Sequence, residues 1–248
     1  MATIIFDLDG TLIDTAPDLI ATLNIILTRE GLPAVPEDEA RAMIGRGARR
    51  MLERGLALGG FALEGSTSAG RIGDAAERQH LDRLYHEFIA YYSDHLADHS
   101  RPFPGVEAAL DVLARRGCTF AVCTNKLEGL SVRLLTSLGL ANRFVTICGQ
   151  DTFGVQKPDP EALLGTLRRA GGTLERAVMV GDSLTDIATA KAALMPVVAV
   201  DFGYTDVPVR DLGPDMIISH YNHLPDAVAT LLEAGSQART APGRKALA

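Results

Sequence analysis

Five short apolar runs punctuate the chain: Thr3-Ile4-Ile5-Phe6, Thr119-Phe120-Ala121-Val122-Cys123, Phe144-Val145-Thr146-Ile147-Cys148, Ala177-Val178-Met179-Val180 and Val197-Val198-Ala199-Val200. None alternates polar with apolar positions. Continuous, β-branched runs of this length predict strands buried on both faces of a parallel sheet. The stretches between them carry helical spacing with recognisable ends. Val106, Ala109, Leu110 and Leu113 share one helical face, and Gly117 follows as a C-terminal cap. Leu127, Leu130, Leu134, Leu135 and Leu138 repeat the arrangement before Gly139. Asp159-Pro160 supplies an N-cap and a first-turn proline ahead of Leu163, Leu164 and Leu167. Strand and helix alternate from about residue 103 to 200, which predicts a doubly wound, Rossmann-like α/β fold.

The first strand breaks this rhythm, because roughly ninety residues pass before the alternation begins. Thr15-Ala16-Pro17-Asp18 reads as a capping-box-like helix start, followed by a stripe of Leu19, Ile20, Leu23, Ile26 and Leu27. Further helices are predicted near 37–44, 47–58 and 75–97, the last carrying Leu81, Leu84, Tyr85, Phe88, Ile89 and Tyr92. Gly59-Gly60 and the Gly/Ser-rich stretch 65–73 read as breakers or loops. Residues 16–100 are therefore expected to form an all-helical unit inserted into an α/β core of 1–15 and 101–234. Residues 235–248 are small and polar, and are expected to be a mobile tail.

Composition narrows the function. With 248 residues, 47% hydrophobic and 22% charged, the chain can bury about 70% of its unfolded surface, so a core is available and disorder is excluded. The apolar runs are far shorter than the roughly 20 residues of a membrane span, and no basic leader precedes an apolar stretch; no membrane partner is expected. Cys118, Cys123 and Cys148 are odd in number and at no metal-ligand spacing, and read as reduced thiols of a cytoplasmic protein. A net charge of −7 opposes a nucleic-acid surface. An acidic enzyme or small-ligand binder remains, as monomer or homodimer.

Ligands of doubly wound sheets bind outside the carboxyl ends of the strands. The residues at those ends are Asp7-Leu8-Asp9-Gly10-Thr11, Thr124-Asn125-Lys126 and Gly181-Asp182-Ser183-Leu184-Thr185-Asp186, with Lys157 just before Pro158-Asp159-Pro160. Asp7 and Asp9, two apart, can point to one side. With Asp182 they make three like charges, repelling by about 4 kcal/mol per pair at ~4 Å in an effective dielectric near 20. Such an all-oxygen cluster calls for a cation and suits Mg²⁺, which also takes a substrate phosphate oxygen. A phosphate in turn gives Thr124, Asn125 and Lys157 a role as hydrogen-bond donors. Phosphoryl transfer depends on this kind of positioning and charge neutralisation.

FDLDGTLIDT, CTNK, KPDP and GDSLTD together, in this order from residue 4 to about 204, resemble the four motifs of the haloacid dehalogenase superfamily, phosphatase branch. The helical insertion resembles that family's cap. The resemblance implies a Mg²⁺-dependent phosphomonoester hydrolase with Asp7 as nucleophile, forming an aspartyl-phosphate, and Asp9 as general acid and base. It implies Mg²⁺ bound by Asp7, Asp182 and the backbone carbonyl of Asp9, with Asp186 in the outer shell. Thr124, the Asn125 amide and Lys157 would hold the phosphoryl oxygens. GLPAVPEDEARAMIGRGARRMLERGLA, PFPGVEAALDVL and Phe202-Gly203-Tyr204 resemble phosphoglycolate phosphatases more particularly, although 59–73 fits that pattern poorly. Arg46, between two glycines of the cap segment, is a candidate partner for a substrate carboxylate.

Blander readings stand beside these. A strand-end aspartate alone is a cap or turn former, and Asp186 can serve a helix N-terminus. His95 and His99 lack the ligands that would complete a zinc site. The 81–92 stripe reads as helix packing. Rival functions are a phosphatase of sugar phosphates, nucleotides or pyrophosphate, a phosphosugar mutase, and a non-catalytic phosphate-binding protein; a dehalogenase would have no need of Asp9 as acid.

Overall fold

A computed structural model of the chain describes residues 1–60 and 75–240, with side chains through 236. In chain order the elements are β1 (Ala2–Phe6), β2 (Ile13–Asp14), α1 (Ala16–Arg29), α2 (Glu37–Arg41), α3 (Ala48–Leu58), α4 (Ala75–Asp94), β3 (Arg101–Pro102), α5 (Val106–Arg115), β4 (Cys118–Cys123), α6 (Glu128–Ser137), β5 (Thr146–Cys148), α7 (Pro160–Arg169), β6 (Ala177–Gly181), α8 (Leu184–Ala192), β7 (Val197–Val200), β8 (Met216–Ile218) and α9 (Leu224–Thr240).

The main sheet has the order β5-β4-β1-β6-β7-β8, with every neighbouring pair parallel. All five apolar runs contribute strands to it, although of Phe144–Cys148 only Thr146–Cys148 is strand and Val145 is exposed. Alternate side chains of β1 enter different cores: Ile4 and Phe6 pack on one face, Ile5 on the other. That double burial is why the runs are apolar throughout. The chain leaves central β1 for β4 and β5 on one side and returns to β6, β7 and β8 on the other. The crevice of a doubly wound sheet opens at such a reversal.

The helices expected after β1 form as α1 to α4, and Leu19, Ile20, Leu23, Ile26 and Leu27 are all buried along α1. The chain leaves for them and returns through β2 and β3, which pair antiparallel at Ile13–Pro102 and Asp14–Arg101. Two-residue strands carry no periodicity, so the sequence gives no sign of them. Edge strand β8 is missed for a related reason: Ile217 is exposed and Met216 half-exposed, which breaks the apolar run.

The capping box expected at Thr15 does not form. Thr15 makes no side-chain cap bond; its hydroxyl donates instead to Asp9 Oδ1 at 2.8 Å. Asp18 turns away to accept from His99 N, Ser100 N and Ser100 Oγ at 3.0, 2.8 and 2.7 Å. Tertiary donors outcompete the local helix end. The N-cap at Asp159 does form, accepting from Glu161 N at 2.8 Å. α9 continues through Thr240, past Gly235 where the tail was expected to begin. Gly59 ends α3 and Gly60 has φ +83°, as breakers do, whereas 61–73 lie outside the described residues. Among the described residues no helix is long and apolar enough to cross a membrane.

Candidate active site

β1, β4 and β6 end side by side, and each delivers polar residues to the same edge. Asp7 follows β1, Thr124 and Asn125 follow β4, and Asp182 follows β6; all four are buried. One oxygen from each of Asp7, Asp182 and Asp186 can be chosen so that all three lie within 4.8 Å of one another. The backbone makes room for them. A Cβ on Gly203 would stand 2.2 Å from Asp182 Cβ. A Cβ on Gly10, whose φ is +81°, would stand 2.5 Å from Asp182 Oδ2. Only glycine fits at either place.

Lys157 threads into this cluster. Its Nζ hydrogen-bonds Asp186 Oδ1 at 2.5 Å and stands 2.9 Å from Asp7 Oδ1. The second contact is an ion pair without hydrogen-bond alignment, so Asp7 Oδ1 is a buried carboxylate oxygen with no aligned donor among the described residues. Burial pushes the Asp7 pKa up to about 6; Lys157 opposes the shift, and Asp186 and Asp9 add to it. Asp182 is raised well above the ordinary carboxylate value, first by burial and then by Asp186 and Asp7. Burial disfavours the Lys157 charge, but Asp186 and Asp7 outweigh it and hold the ammonium protonated beyond the ordinary lysine range. Two raised carboxylates, a buried carboxylate oxygen with no aligned hydrogen bond and an all-oxygen donor set suit a hard divalent cation.

Asp186 serves the helix N-terminus, as the sequence suggested, and also holds Lys157. Its Oδ2 accepts from Ser183 N and Ser183 Oγ at 3.1 and 2.6 Å, closing a capping box on α8, while its Oδ1 holds Lys157. Both oxygens are engaged. Asp182 accepts from Thr11 Oγ1 and Tyr204 N, each at 2.7 Å, one bond per oxygen, and keeps free lone pairs.

Asn125 differs from its expected part. Its side chain clasps the backbone of Lys157, with Nδ2 donating to Lys157 O and Oδ1 accepting from Lys157 N, both at 3.0 Å. The amide left for a ligand is its backbone N–H. Thr124 Oγ1 accepts from Lys126 N at 3.3 Å, leaving its proton to donate outward.

A cavity of ≈ 40 Å³ opens from Asp7 and Asp9 toward the helices inserted after β2, walled by Leu19, Ile44, Gly47, Met51, Tyr85, Ile89, Tyr92 and Leu130 among others. Three members of the 81–92 stripe thus line the site as well as pack the helix. Arg46 is not brought there: it is exposed, while its neighbours Gly45 and Gly47, both at positive φ, face the cavity. Lys126 was not singled out from the sequence. Its buried ammonium meets both oxygens of Asp9, at 2.9 and 3.1 Å, and sits 4.6 Å from the centre of the Tyr92 ring. The available signal was its place directly after Thr124-Asn125 at a strand end.

A parallel sheet with its carboxylates, lysine and threonine at one crevice defines a class, and comparison with known proteins agrees: the chain belongs to the haloacid dehalogenase-like hydrolase family, whose profile matches residues 1–193. A second profile of HAD-like hydrolases matches residues 155–233. Hydrolases of this family generally use Mg²⁺, and the Asp7–Asp182–Asp186 group suits such an ion. Among its relatives, a phosphoglycolate phosphatase of Mesorhizobium japonicum is 49% identical over 221 residues, covering 89% of this chain and 92% of that one. A phosphoglycolate phosphatase of Caulobacter vibrioides is 44% identical, covering 93% and 92%. The crystal structure of a predicted phosphoglycolate phosphatase from Haemophilus somnus superposes with a TM-score of 0.80 at 28% identity, covering 92% and 97%. The chain is a phosphoric monoester hydrolase.

Proposed function

We propose that the enzyme hydrolyses 2-phosphoglycolate through an aspartyl-phosphate on Asp7. The observation that carries the chemistry is the pairing of two carboxylates with different surroundings at the end of β1. Asp7 is buried among Lys157, Asp186 and Asp182, and Asp9 faces the cavity. Asp7 attacks phosphorus as the ester bond breaks, and Asp9 delivers its proton to the departing glycolate oxygen. Asp9 then takes a proton from water as that water attacks the phosphoryl group, freeing phosphate and restoring Asp7 as a carboxylate and Asp9 as an acid. Thr124 Oγ1, the Asn125 N–H and Lys157 hold the phosphoryl oxygens, and Asn125 fixes Lys157 by its backbone. Asp7, Asp182 and the Asp9 carbonyl would hold Mg²⁺, which when bound would supply charge neutralisation for the phosphoryl group. Asp186, with both oxygens engaged, belongs to the outer shell.

The relatives at 44–49% identity support phosphoglycolate as substrate. Residues 16–100 act as a cap over the 1–15 and 101–234 core, excluding water during turnover. Phosphate release from phosphoglycolate, glucose phosphates, nucleotides and pyrophosphate, with Mg²⁺ and with chelator, tests the assignment. Phosphoglycolate is expected to lead in kcat/KM by at least about tenfold. A flat Mg²⁺-dependent profile would leave the reaction class and remove the substrate.

A further inference from the structure

We propose, resting on the phosphoglycolate reading, that Lys126 and the Tyr92 hydroxyl form the subsite for the substrate carboxylate, and that Arg46 does not. Lys126 is the sole basic side chain lining the cavity among the described residues. Its side chain is 5% exposed, and Asp9 engages it through two oxygens while an ammonium carries three donors. Tyr92 is 1% exposed and also lines the cavity; its hydroxyl lies beside the Lys126 ammonium but makes no aligned hydrogen bond among the described residues. A buried hydroxyl left unmatched is costly unless a ligand completes it. Leu19, Ile44, Met51, Ile89, Leu127 and Leu130 present only hydrocarbon, which would penalise a carboxylate placed against them.

The covalent structure of the substrate brings the charge to this place. In phosphoglycolate one methylene, two bonds of roughly 1.5 Å, separates the ester oxygen from the carboxylate carbon. The group that protonates the ester oxygen therefore lies beside the group that meets the carboxylate. Asp9 has the first role, and the cation in contact with Asp9 is Lys126. The N-terminus of α3 at Gly47-Ala48 has no side-chain cap and faces the same cavity, adding partial positive charge. An ester lacking the carboxylate leaves the ammonium and hydroxyl underused, a means of rejecting neutral leaving groups.

The test compares two phosphonates that cannot be hydrolysed, 3-phosphonopropionate and propylphosphonate, which differ by the carboxylate. Their affinities for the Mg²⁺-loaded protein are measured by calorimetry. The wild-type protein is expected to favour 3-phosphonopropionate by about tenfold to a hundredfold, the range of a buried charge-assisted contact. Lys126→Met should shrink that preference to about threefold or less, and the isosteric Tyr92→Phe should cut it several-fold without threatening the fold. Arg46→Ala should keep it. A preference that survives both Lys126→Met and Tyr92→Phe, or that vanishes in Arg46→Ala, overturns the subsite alone. No preference in the wild-type protein overturns the substrate reading beneath it.

Discussion

Replacing Asp7 with asparagine should stabilise the metal-free protein while ending turnover, and the size of the gain follows from the burial of the carboxylate. Asp7 titrates at about 6 instead of 3.8, chiefly because burial disfavours its charge. A shift of about two units corresponds to about 3 kcal/mol. The folded pKa lies above the unfolded one, so the folded protein holds this proton more tightly. Below the unfolded value both states are protonated and Asp7 costs nothing. As pH rises from about 4 to above 6 the penalty accrues, and it is complete at neutral pH. Asparagine carries no charge at any pH and so escapes it. Thermal unfolding in chelator should therefore show the Asp7→Asn advantage growing by about 3 kcal/mol between pH 4 and pH 7, or about 6–12 °C for a protein of this size. Added Mg²⁺ should raise the wild-type midpoint at pH 7.5 and raise the variant's far less. An advantage that is constant across this pH range would refute the argument, because a change in packing or hydrogen bonding alone has no reason to follow the Asp7 titration. Retained turnover would sink the nucleophile assignment independently.

Lys157→Met removes the cation that pairs with both Asp7 and Asp186, and should cost about 3–5 kcal/mol in chemical denaturation as well as abolishing phosphate release; an active variant would show that Lys157 does not hold the phosphoryl group. Gly203→Ala places a Cβ 2.2 Å from Asp182 Cβ and should weaken Mg²⁺ binding by about tenfold or more, read as the Mg²⁺ concentration giving half the thermal shift. An unchanged Mg²⁺ response would mean that Asp182 is not a ligand. Asp18→Ala leaves His99 N, Ser100 N and Ser100 Oγ without their acceptor and should cost about 2–3 kcal/mol, with faster amide exchange at both residues. Exchange that stays slow would place the strength of that corner elsewhere.

The parallel sheet was legible because its strands are buried on both faces. Ile4-Ile5-Phe6 has to be apolar at every position, since its side chains enter two cores, and a continuous apolar run survives in the sequence as a plain signal. What was illegible is whatever draws its stability from partners distant in sequence. β2 and β3 are two residues each and exist by pairing across the whole helical insertion. The expected capping box at Thr15 failed for the same reason. Asp18 has the right spacing for local capping, but donors at His99 and Ser100 lie closer to its carboxylate in space.

The site divides along the same line. Asp7, Asp9, Asp182 and Lys157 could be read because each stands at the end of a strand or in a motif whose order along the chain is itself informative. Lys126 stands at such an end too, yet sequence supplies no means of telling a solvated lysine from one whose ammonium is clamped between Asp9 and a tyrosine ring. The ring belongs to Tyr92, on α4, and its stripe has the period of an ordinary packing face. Packing and function are not alternatives there: Tyr92 is part of the buried core and also one of the residues that wall the cavity. Arg46 is the converse case. Its position between two glycines is suggestive in one dimension, but those glycines, at φ of +99° and +86°, bring the backbone to the cavity and leave the guanidinium exposed. The phosphate end of the site is therefore set by residues attached to the sheet. The other end depends on where α3 and α4 place their side chains opposite the residues that follow β4, which is why specificity is harder to read from the chain than the reaction.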